Sequence, residues 1–91
     1  MKDFKSKYGP WAVVAGASEG LGEAFARDIA SRGINVYLIA RREEKLRELA
    51  GSIQRDYNVQ VQYRKVDLSD AVGIKDFFSQ LDVDAGLVVY N

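Results

Sequence analysis

The chain has 91 residues, of which 47% are hydrophobic and 29% are charged, and its 13 basic and 13 acidic residues balance to zero net charge. That length allows at most one small domain or part of one, and the apolar fraction is too high for a disordered chain. The absence of cysteine and histidine excludes disulfides, zinc sites built on either residue and catalytic dyads that need them. Because the charge is balanced, neither nucleic acid nor a membrane surface is an expected partner.

The first ten residues are predicted to form a polar tail that ends in a Gly-Pro turn signal. Lysines of this tail precede the apolar run 11–17, an arrangement that resembles a secretory signal peptide. The run is too short for such a peptide and contains the first glycine of a more informative motif, so we expect no cleavage there. No apolar run approaches the roughly 18 residues of a membrane-spanning helix. The predicted location is therefore the cytoplasm.

Strands and helices are predicted to alternate from residue 11 onward. Residues 11–15 form a continuous apolar run, which is typical of a strand buried on both faces of a parallel sheet. A glycine-rich turn leads from this strand into a first helix. The apolar residues predicted to form the buried stripe of that helix are Leu21, Ala24, Phe25 and Ile29. Gly33 stands where a helix C-cap is expected.

The same pattern repeats downstream. A second buried strand is predicted at 36–40, followed by a helix that ends near Asn58. The predicted stripe of this helix has the spacing i, i+3, i+4 and i+7 and consists of Leu46, Leu49, Ala50 and Ile53. A third strand within 59–66 alternates apolar and polar residues, so one of its faces is expected to be exposed. The loop 67–70 carries residues that can cap a following helix.

A third helix and a fourth strand complete the predicted pattern. The stripe of this helix consists of Ile74, Phe77, Phe78 and Leu81. A loop is predicted at 82–86 and an apolar strand at 87–90. Strands that alternate with helices imply parallel pairing, right-handed crossovers and helices on both sheet faces. We therefore predict an α/β fold with the element order βαβαβαβ. Its parallel sheet is expected to be half of a doubly wound, Rossmann-type sheet with strand order 3-2-1-4. Residues 1–91 are predicted to form one dinucleotide-binding segment.

The glycine-rich turn after the first strand is the most informative motif. Gly16 stands where the chain must turn sharply, Gly20 would let a pyrophosphate approach the backbone, and Gly22 would let the helix pack closely. The N-terminus of the helix supplies free N–H groups and a partial positive charge, which suit an anion. The spacing is G-x-x-x-G-x-G and no Gly-Lys dipeptide occurs, so the motif is not a P-loop. A turn without a ligand is the alternative, but the strand before it and the helix after it favour a dinucleotide site.

The end of the second strand indicates which dinucleotide is bound. In such folds an acidic residue there binds the ribose 2′-hydroxyl of NAD, whereas an arginine accommodates the 2′-phosphate of NADP. Ala40 occupies the acidic position, and Arg41 and Arg42 follow it. A guanidinium binds phosphate through paired hydrogen bonds, so we predict NADP (NADPH) over NAD, with Arg41 favoured and with Ser18 as an additional hydroxyl donor. The alternative is that both arginines simply open a solvated, charged helix.

With these motifs in place, the sequence resembles the short-chain dehydrogenases/reductases. The resemblance extends over 11–91 and is carried by the segments 15–22, 66–68 and 87–91 together with Arg41. It implies that Asp67 contacts the adenine ring, that the backbone of Leu68 helps there, and that Asn91 matches the second Asn of an Asn-Asn-Ala-Gly motif. The cofactor-binding residues predicted from pattern and resemblance are Gly16, Ser18, Gly20, Leu21, Gly22, Arg41, Arg42, Asp67, Leu68 and Asn91.

Two positions depart from the family pattern, and one motif is missing. Ala15 replaces the usual Thr ahead of the first glycine, and Tyr90 replaces the first Asn of the later motif. Catalysis in the family needs a Ser and a Tyr-x-x-x-Lys, and the sequence contains no Tyr-x-x-x-Lys. We therefore assign no catalytic residue and no metal ligand. The resemblance implies the N-terminal cofactor half of a longer oxidoreductase that acts on a carbonyl or alcohol substrate; a non-catalytic dinucleotide-binding or interaction module is the alternative.

The isolated chain is expected to be catalytically inert and to self-associate. Inertness follows because no acid–base group assists proton transfer, and self-association follows because an apolar fourth strand at a sheet edge is a template for pairing. A homo-oligomer is likewise expected for the intact protein. Sedimentation of the purified chain and an NADPH oxidation assay on a panel of carbonyl compounds test both expectations. A stable monomer that turned over substrate would contradict them.

Overall fold

A computed structural model describes residues 11–18, 20–81 and 85–90, so the predicted tail and Asn91 lie outside the described residues. In the described part, strands and helices alternate in the order β1 (Trp11–Ala15), α1 (Gly20–Ser31), β2 (Asn35–Ala40), α2 (Glu43–Asp56), β3 (Val61–Lys65), α3 (Ala71–Ser79) and β4 (Ala85–Tyr90). The predicted βαβαβαβ order is confirmed. Strands β2 and β4 begin slightly earlier than predicted, and α2 ends before Asn58 because Tyr57 already has extended backbone angles.

The strands form one parallel sheet in the order β3-β2-β1-β4, which confirms the predicted topology. Strand β1 lies in the centre, where it pairs with β2 from Trp11↔Asn35 to Ala15↔Ile39. Its pairing with β4 shifts register once, between Trp11 and Ala12. Because all neighbouring strands are parallel, their carboxyl ends meet at one edge of the sheet. This is the edge at which open α/β sheets bind ligands.

Apolar side chains fill both faces of the sheet. On one face, α1 and α2 cover alternate residues of β1 and β2, and the largest completely buried side chains there are Val14, Val36, Leu38, Leu46 and Ile53. On the other face, Phe77 of α3 packs with Trp11, Tyr37 and Ile39. Every residue of β1 and β2 is buried, as their unbroken apolar runs predict. In β3, by contrast, Gln62 and Arg64 are exposed, which confirms the predicted wet face.

The predicted stripe of α1 is wrong, apart from Ile29. Leu21 and Phe25 keep 60% and 39% of their surface exposed, whereas the residues of α1 that are buried are Gly22, Ala26, Ile29 and Ala30. These residues follow the spacing i, i+4, i+7 and i+8, so they also form one helical face. At Gly22 the helix lies so close to the preceding turn that no side chain fits, and the buried face of α1 consists of this glycine, two alanines and Ile29, whereas Leu21 and Phe25 are turned outward.

The buried faces of α2 and α3, and the capping residues of α1 and α3, agree with the sequence. The stripe of α2 is buried as predicted, and the remaining residues of the α3 stripe pack around the buried ring of Phe77. Gly33 has a φ of 83° and donates its N–H to the carbonyl of Ala30 (2.9 Å), so it ends α1 as predicted. The carboxylate of Asp70 accepts a hydrogen bond from the N–H of Val72 (3.1 Å) and caps α3. No helix within the described ranges could cross a membrane.

Replacing Leu46 by Ala should destabilise the chain by about 2–5 kcal/mol, because a completely buried side chain is removed and a cavity is left. The matched control is Leu21→Ala, which should stay within about 0.5 kcal/mol of the wild type because Leu21 is exposed. Urea unfolding followed by circular dichroism measures both changes. Equal destabilisation by the two variants would indicate that Leu21 is buried, as the predicted stripe of α1 requires.

Candidate functional site

The turn after β1 is fixed by the backbone of β2. Gly16 has a φ of 79°, in the left-handed region that favours glycine, so the chain reverses sharply there. The N–H groups of Gly16 and Ala17 both donate to the carbonyl oxygen of Ile39, at 2.9 and 3.3 Å. Ala15 has no side-chain hydroxyl, and these backbone hydrogen bonds attach the turn to the sheet. The prediction of a sharp turn at Gly16 is confirmed.

The other two glycines of the motif lie at the start of α1 and have different surroundings. A Cβ atom on Gly22 would lie 2.8 Å from the carbonyl carbon of Gly16 and closer still to its oxygen, so no side chain fits there. A Cβ atom on Gly20 would meet nothing within 4 Å. Gly22 is therefore needed for close packing, as predicted. Gly20 faces open space beside the positive end of the helix, which leaves room for an anion.

Two arginines stand at the carboxyl end of β2. Ala40 is buried, whereas Arg41 and Arg42 are exposed in the short connection to α2. The carbonyl of Arg42 accepts the first hydrogen bond of the helix from the N–H of Leu46 (3.1 Å), and the Arg42 side chain makes no capping hydrogen bond. Both arginines therefore follow the end of β2 at the sheet edge, and both line one cavity with the glycine turn.

A carboxylate stands at the end of β3. The N–H of Val66 donates to the carbonyl of Ala40 (2.9 Å), which extends the pairing with β2 and brings Asp67 to the same edge. Oδ1 of Asp67 accepts hydrogen bonds from the Ser69 hydroxyl (2.7 Å) and from the Ser69 N–H (3.0 Å). These two bonds and the positive charge of Arg41 lower the pKa of Asp67 below its usual value.

These three segments enclose a cavity of about 410 Å³ at the carboxyl edge of the sheet. The volume lies in the range of about 300–1,000 Å³ that is typical of sites for small organic ligands. The residues that line it are Gly16, Ser18, Ala40, Arg41, Arg42, Asp67, Leu68 and Ser69. Six of these residues belong to the predicted cofactor site, and they come from three separate stretches of the sequence.

The rest of the predicted site is placed differently. Gly20, Leu21 and Gly22 lie at the start of α1 and do not line the cavity, and Asn91 is outside the described residues. Ser69 lines the cavity but was not among the predicted site residues. The signal for it was present, because a serine two residues after an aspartate is typical of a turn in which the carboxylate accepts local hydrogen bonds.

A second cavity, of about 280 Å³, lies between α1 and α2, and Ser18 lines both cavities. Here the guanidinium of Arg27 links the two helices. It donates to Ser52 (2.8 Å), to Glu23 (3.1 Å) and to Asp56 (3.3 Å). The hydrogen bond and charge of Glu23 raise the pKa of Arg27 despite its partial burial. The cation already has protein partners, so we assign it to holding the helices together.

Comparison with known proteins identifies the family. The model of the short chain dehydrogenase family matches residues 10–89. The chain belongs to this family. It is 38% identical over 89 residues to a 7beta-hydroxysteroid dehydrogenase of Collinsella aerofaciens, with 97% of this chain and 34% of that protein covered. It is 40% identical over 93 residues to the human inactive hydroxysteroid dehydrogenase-like protein 1, with 98% and 28% covered.

Solved structures of the family have the same fold. L-sorbose reductase from Gluconobacter frateurii, solved with NADPH and L-sorbose, superposes with a TM-score of 0.79 at 30% identity, covering 90% of this chain and 32% of that one. The chain therefore spans about a third of the length of the proteins it resembles. Among the described residues, no group of three or more potential ligands could hold a metal ion.

Replacing Gly22 by Ala should destabilise the short-chain dehydrogenase fold by about 1–3 kcal/mol, since the new methyl group must push against the backbone of Gly16. Gly20→Ala is the matched control and should be neutral or slightly stabilising, because its methyl group meets no atom and alanine favours a helix. Urea titration of both variants, followed by the fluorescence of Trp11, measures the difference. Equal stability of the two variants would show that the turn does not approach the helix this closely.

Proposed function

We propose that this chain binds NADP(H) in the cavity at the carboxyl edge of the sheet, as the N-terminal cofactor part of a short-chain oxidoreductase. The observation that carries the proposal is the meeting of the glycine turn, Arg41 with Arg42, and Asp67 around one cavity. An NADP(H) molecule needs these groups: an opening for its pyrophosphate, cations for its 2′-phosphate, and a hydrogen-bond acceptor for its adenine base. The solved NADPH complex of a family member supports the same assignment.

The 2′-phosphate site is proposed at Arg41, Arg42 and Ser18, which all line the cavity. Both guanidinium groups are exposed and can form paired hydrogen bonds with phosphate oxygens. Ala40 is buried and offers no carboxylate to a ribose 2′-hydroxyl. The arrangement therefore favours NADP over NAD, since an NAD site would require an acceptor where this chain has a methyl group.

The pyrophosphate is proposed to lie against the start of α1, beside Gly20, Leu21 and Gly22. The space beside Gly20 is open, and the first turn of a helix leaves its N–H groups without partners inside the helix. The adenine ring is proposed to lie against Asp67 and Leu68, and Asn91 is proposed as a further contact from the resemblance. The role of these residues is to bind and orient the dinucleotide.

The activity of the longer protein is proposed to be hydride transfer between the nicotinamide of the bound cofactor and a carbonyl or alcohol carbon. When bound, the cofactor supplies or accepts the hydride. The residues of this chain fix the adenosine end of the dinucleotide, which lowers the entropic cost of presenting its reactive end to a substrate. A homo-oligomer and a cytoplasmic location stay predictions of the sequence.

A non-catalytic dinucleotide-binding or interaction module is the second candidate. One similar human protein, at 40% identity, is described as an inactive hydroxysteroid dehydrogenase-like protein. The two candidates share the cofactor cavity and differ in the acid–base residues of the remaining protein. A Tyr-x-x-x-Lys within the longer sequence and NADPH oxidation with a ketone panel would support the enzyme. Cofactor binding without turnover in that protein would support the module.

Replacing Arg41 by Ala should weaken NADPH binding by about 1–3 kcal/mol, which corresponds to about 5- to 150-fold, because a charged hydrogen-bond partner of the 2′-phosphate is lost. NADH binding should change much less, because NADH has no such phosphate. Fluorescence titration of both cofactors measures the two effects. Arg55→Ala is the matched control, since this exposed arginine lies in the last turn of α2 and does not line the cavity. An equal loss for NADPH and NADH would contradict the assignment of Arg41 to the 2′-phosphate.

A further inference from the structure

Ser69 lines the cavity, and both of its hydrogen-bond donors bind the same oxygen atom of Asp67. Its hydroxyl and its N–H reach Oδ1 of Asp67, at 2.7 and 3.0 Å. No described residue donates a hydrogen bond to the other carboxylate oxygen, Oδ2. Asp67 is exposed at the cavity, so Oδ2 can accept a hydrogen bond from a bound molecule.

The neighbouring carboxylate, Asp70, has a different task. It caps α3 by accepting from the N–H of Val72, and its own N–H donates to the carbonyl of Asp67 (3.0 Å). The loop between β3 and α3 is thus closed by its own backbone, without the hydroxyl of Ser69. That hydroxyl adds a second, shorter hydrogen bond to the one that the Ser69 N–H donates to Oδ1, and it therefore restricts the rotation of the Asp67 carboxylate more than the backbone alone does.

We propose that Ser69 is a positioning residue, which holds Oδ1 of Asp67 so that Oδ2 accepts a hydrogen bond from the exocyclic amino group of adenine. This inference rests on the proposed function. An exposed aspartate samples several rotamers, and binding must select one of them. A carboxylate already held on one side loses less freedom when the base binds, so the hydroxyl increases affinity without touching the cofactor itself.

The inference predicts an effect that depends on the base. In the reduced hypoxanthine analogue of NADPH, a carbonyl oxygen replaces the exocyclic amino group and the ring proton moves to N1, so the donor that Oδ2 accepts from is absent from its position. Wild-type chain should therefore bind NADPH more tightly than this analogue. Ser69→Ala should weaken NADPH binding about fivefold, the scale of one ordinary hydrogen bond, and should leave the binding of the analogue unchanged. Ser69→Thr keeps the hydroxyl and should restore wild-type affinity.

Isothermal titration of the chain with both dinucleotides is the test, with Ser79→Ala as the matched control. Ser79 is also an exposed serine whose hydroxyl makes a local hydrogen bond, to the carbonyl of Asp76 (2.9 Å), but it does not line the cavity. Unfolding midpoints of all variants show whether the fold is retained. Equal weakening of both dinucleotides by Ser69→Ala, or no weakening of either, would overturn the positioning role. Failure of the wild-type chain to bind NADPH at all would instead overturn the proposed function, and this inference with it.

Discussion

The attachment of the Gly16 turn to the end of β2 is the constraint on which the candidate site depends. The carbonyl of Ile39 accepts hydrogen bonds from two successive N–H groups of the turn, so the turn and the strand end cannot separate without breaking both. This contact fixes the direction in which α1 leaves the sheet. It also holds the turn next to Arg41 and Arg42, which follow Ile39 by only a few residues. Gly22 is required for the same reason, because its helix starts against the carbonyl of Gly16.

Charge of both signs is concentrated at this edge of the sheet, although the chain as a whole is neutral. Arg41 and Arg42 provide two exposed cations, and Asp67 provides a carboxylate whose pKa is lowered by its hydrogen bonds from Ser69 and by the charge of Arg41. A ligand that carries a phosphate at one position and a hydrogen-bond donor at another matches both signs at once. The fold alone is compatible with many functions, so it is the arrangement of charges at this edge that indicates the class of ligand.

Sequence patterns predicted the fold wherever side-chain size and burial agree. In β1, β2 and α2 the large apolar residues are also the buried ones, so periodicity identified the core directly. In α1 they disagree: Leu21 and Phe25 are exposed, and Gly22 and Ala26 are buried. Periodicity calculated from hydrophobicity cannot detect this, because the closeness of a helix to its sheet is a property of the packed structure. The close packing of α1 becomes visible only in the structure, where a Cβ atom on Gly22 would clash with the backbone of Gly16.

The sequence by itself determined the order of the elements, the strand order, the glycine motif and the cationic end of β2. These features are local or follow from general rules for parallel α/β folds, so neighbouring residues suffice to recognise them. Only the tertiary structure decided which of the predicted site residues line one cavity and which oxygen of Asp67 is left for a ligand. Those facts depend on hydrogen bonds between segments distant in sequence, such as Val66 to Ala40, and on the rotation of a single side chain held by Ser69. Neither fact can be read from periodicity or composition: the Asp-x-Ser spacing indicates a local turn, but only the structure places Ser69 at the cavity.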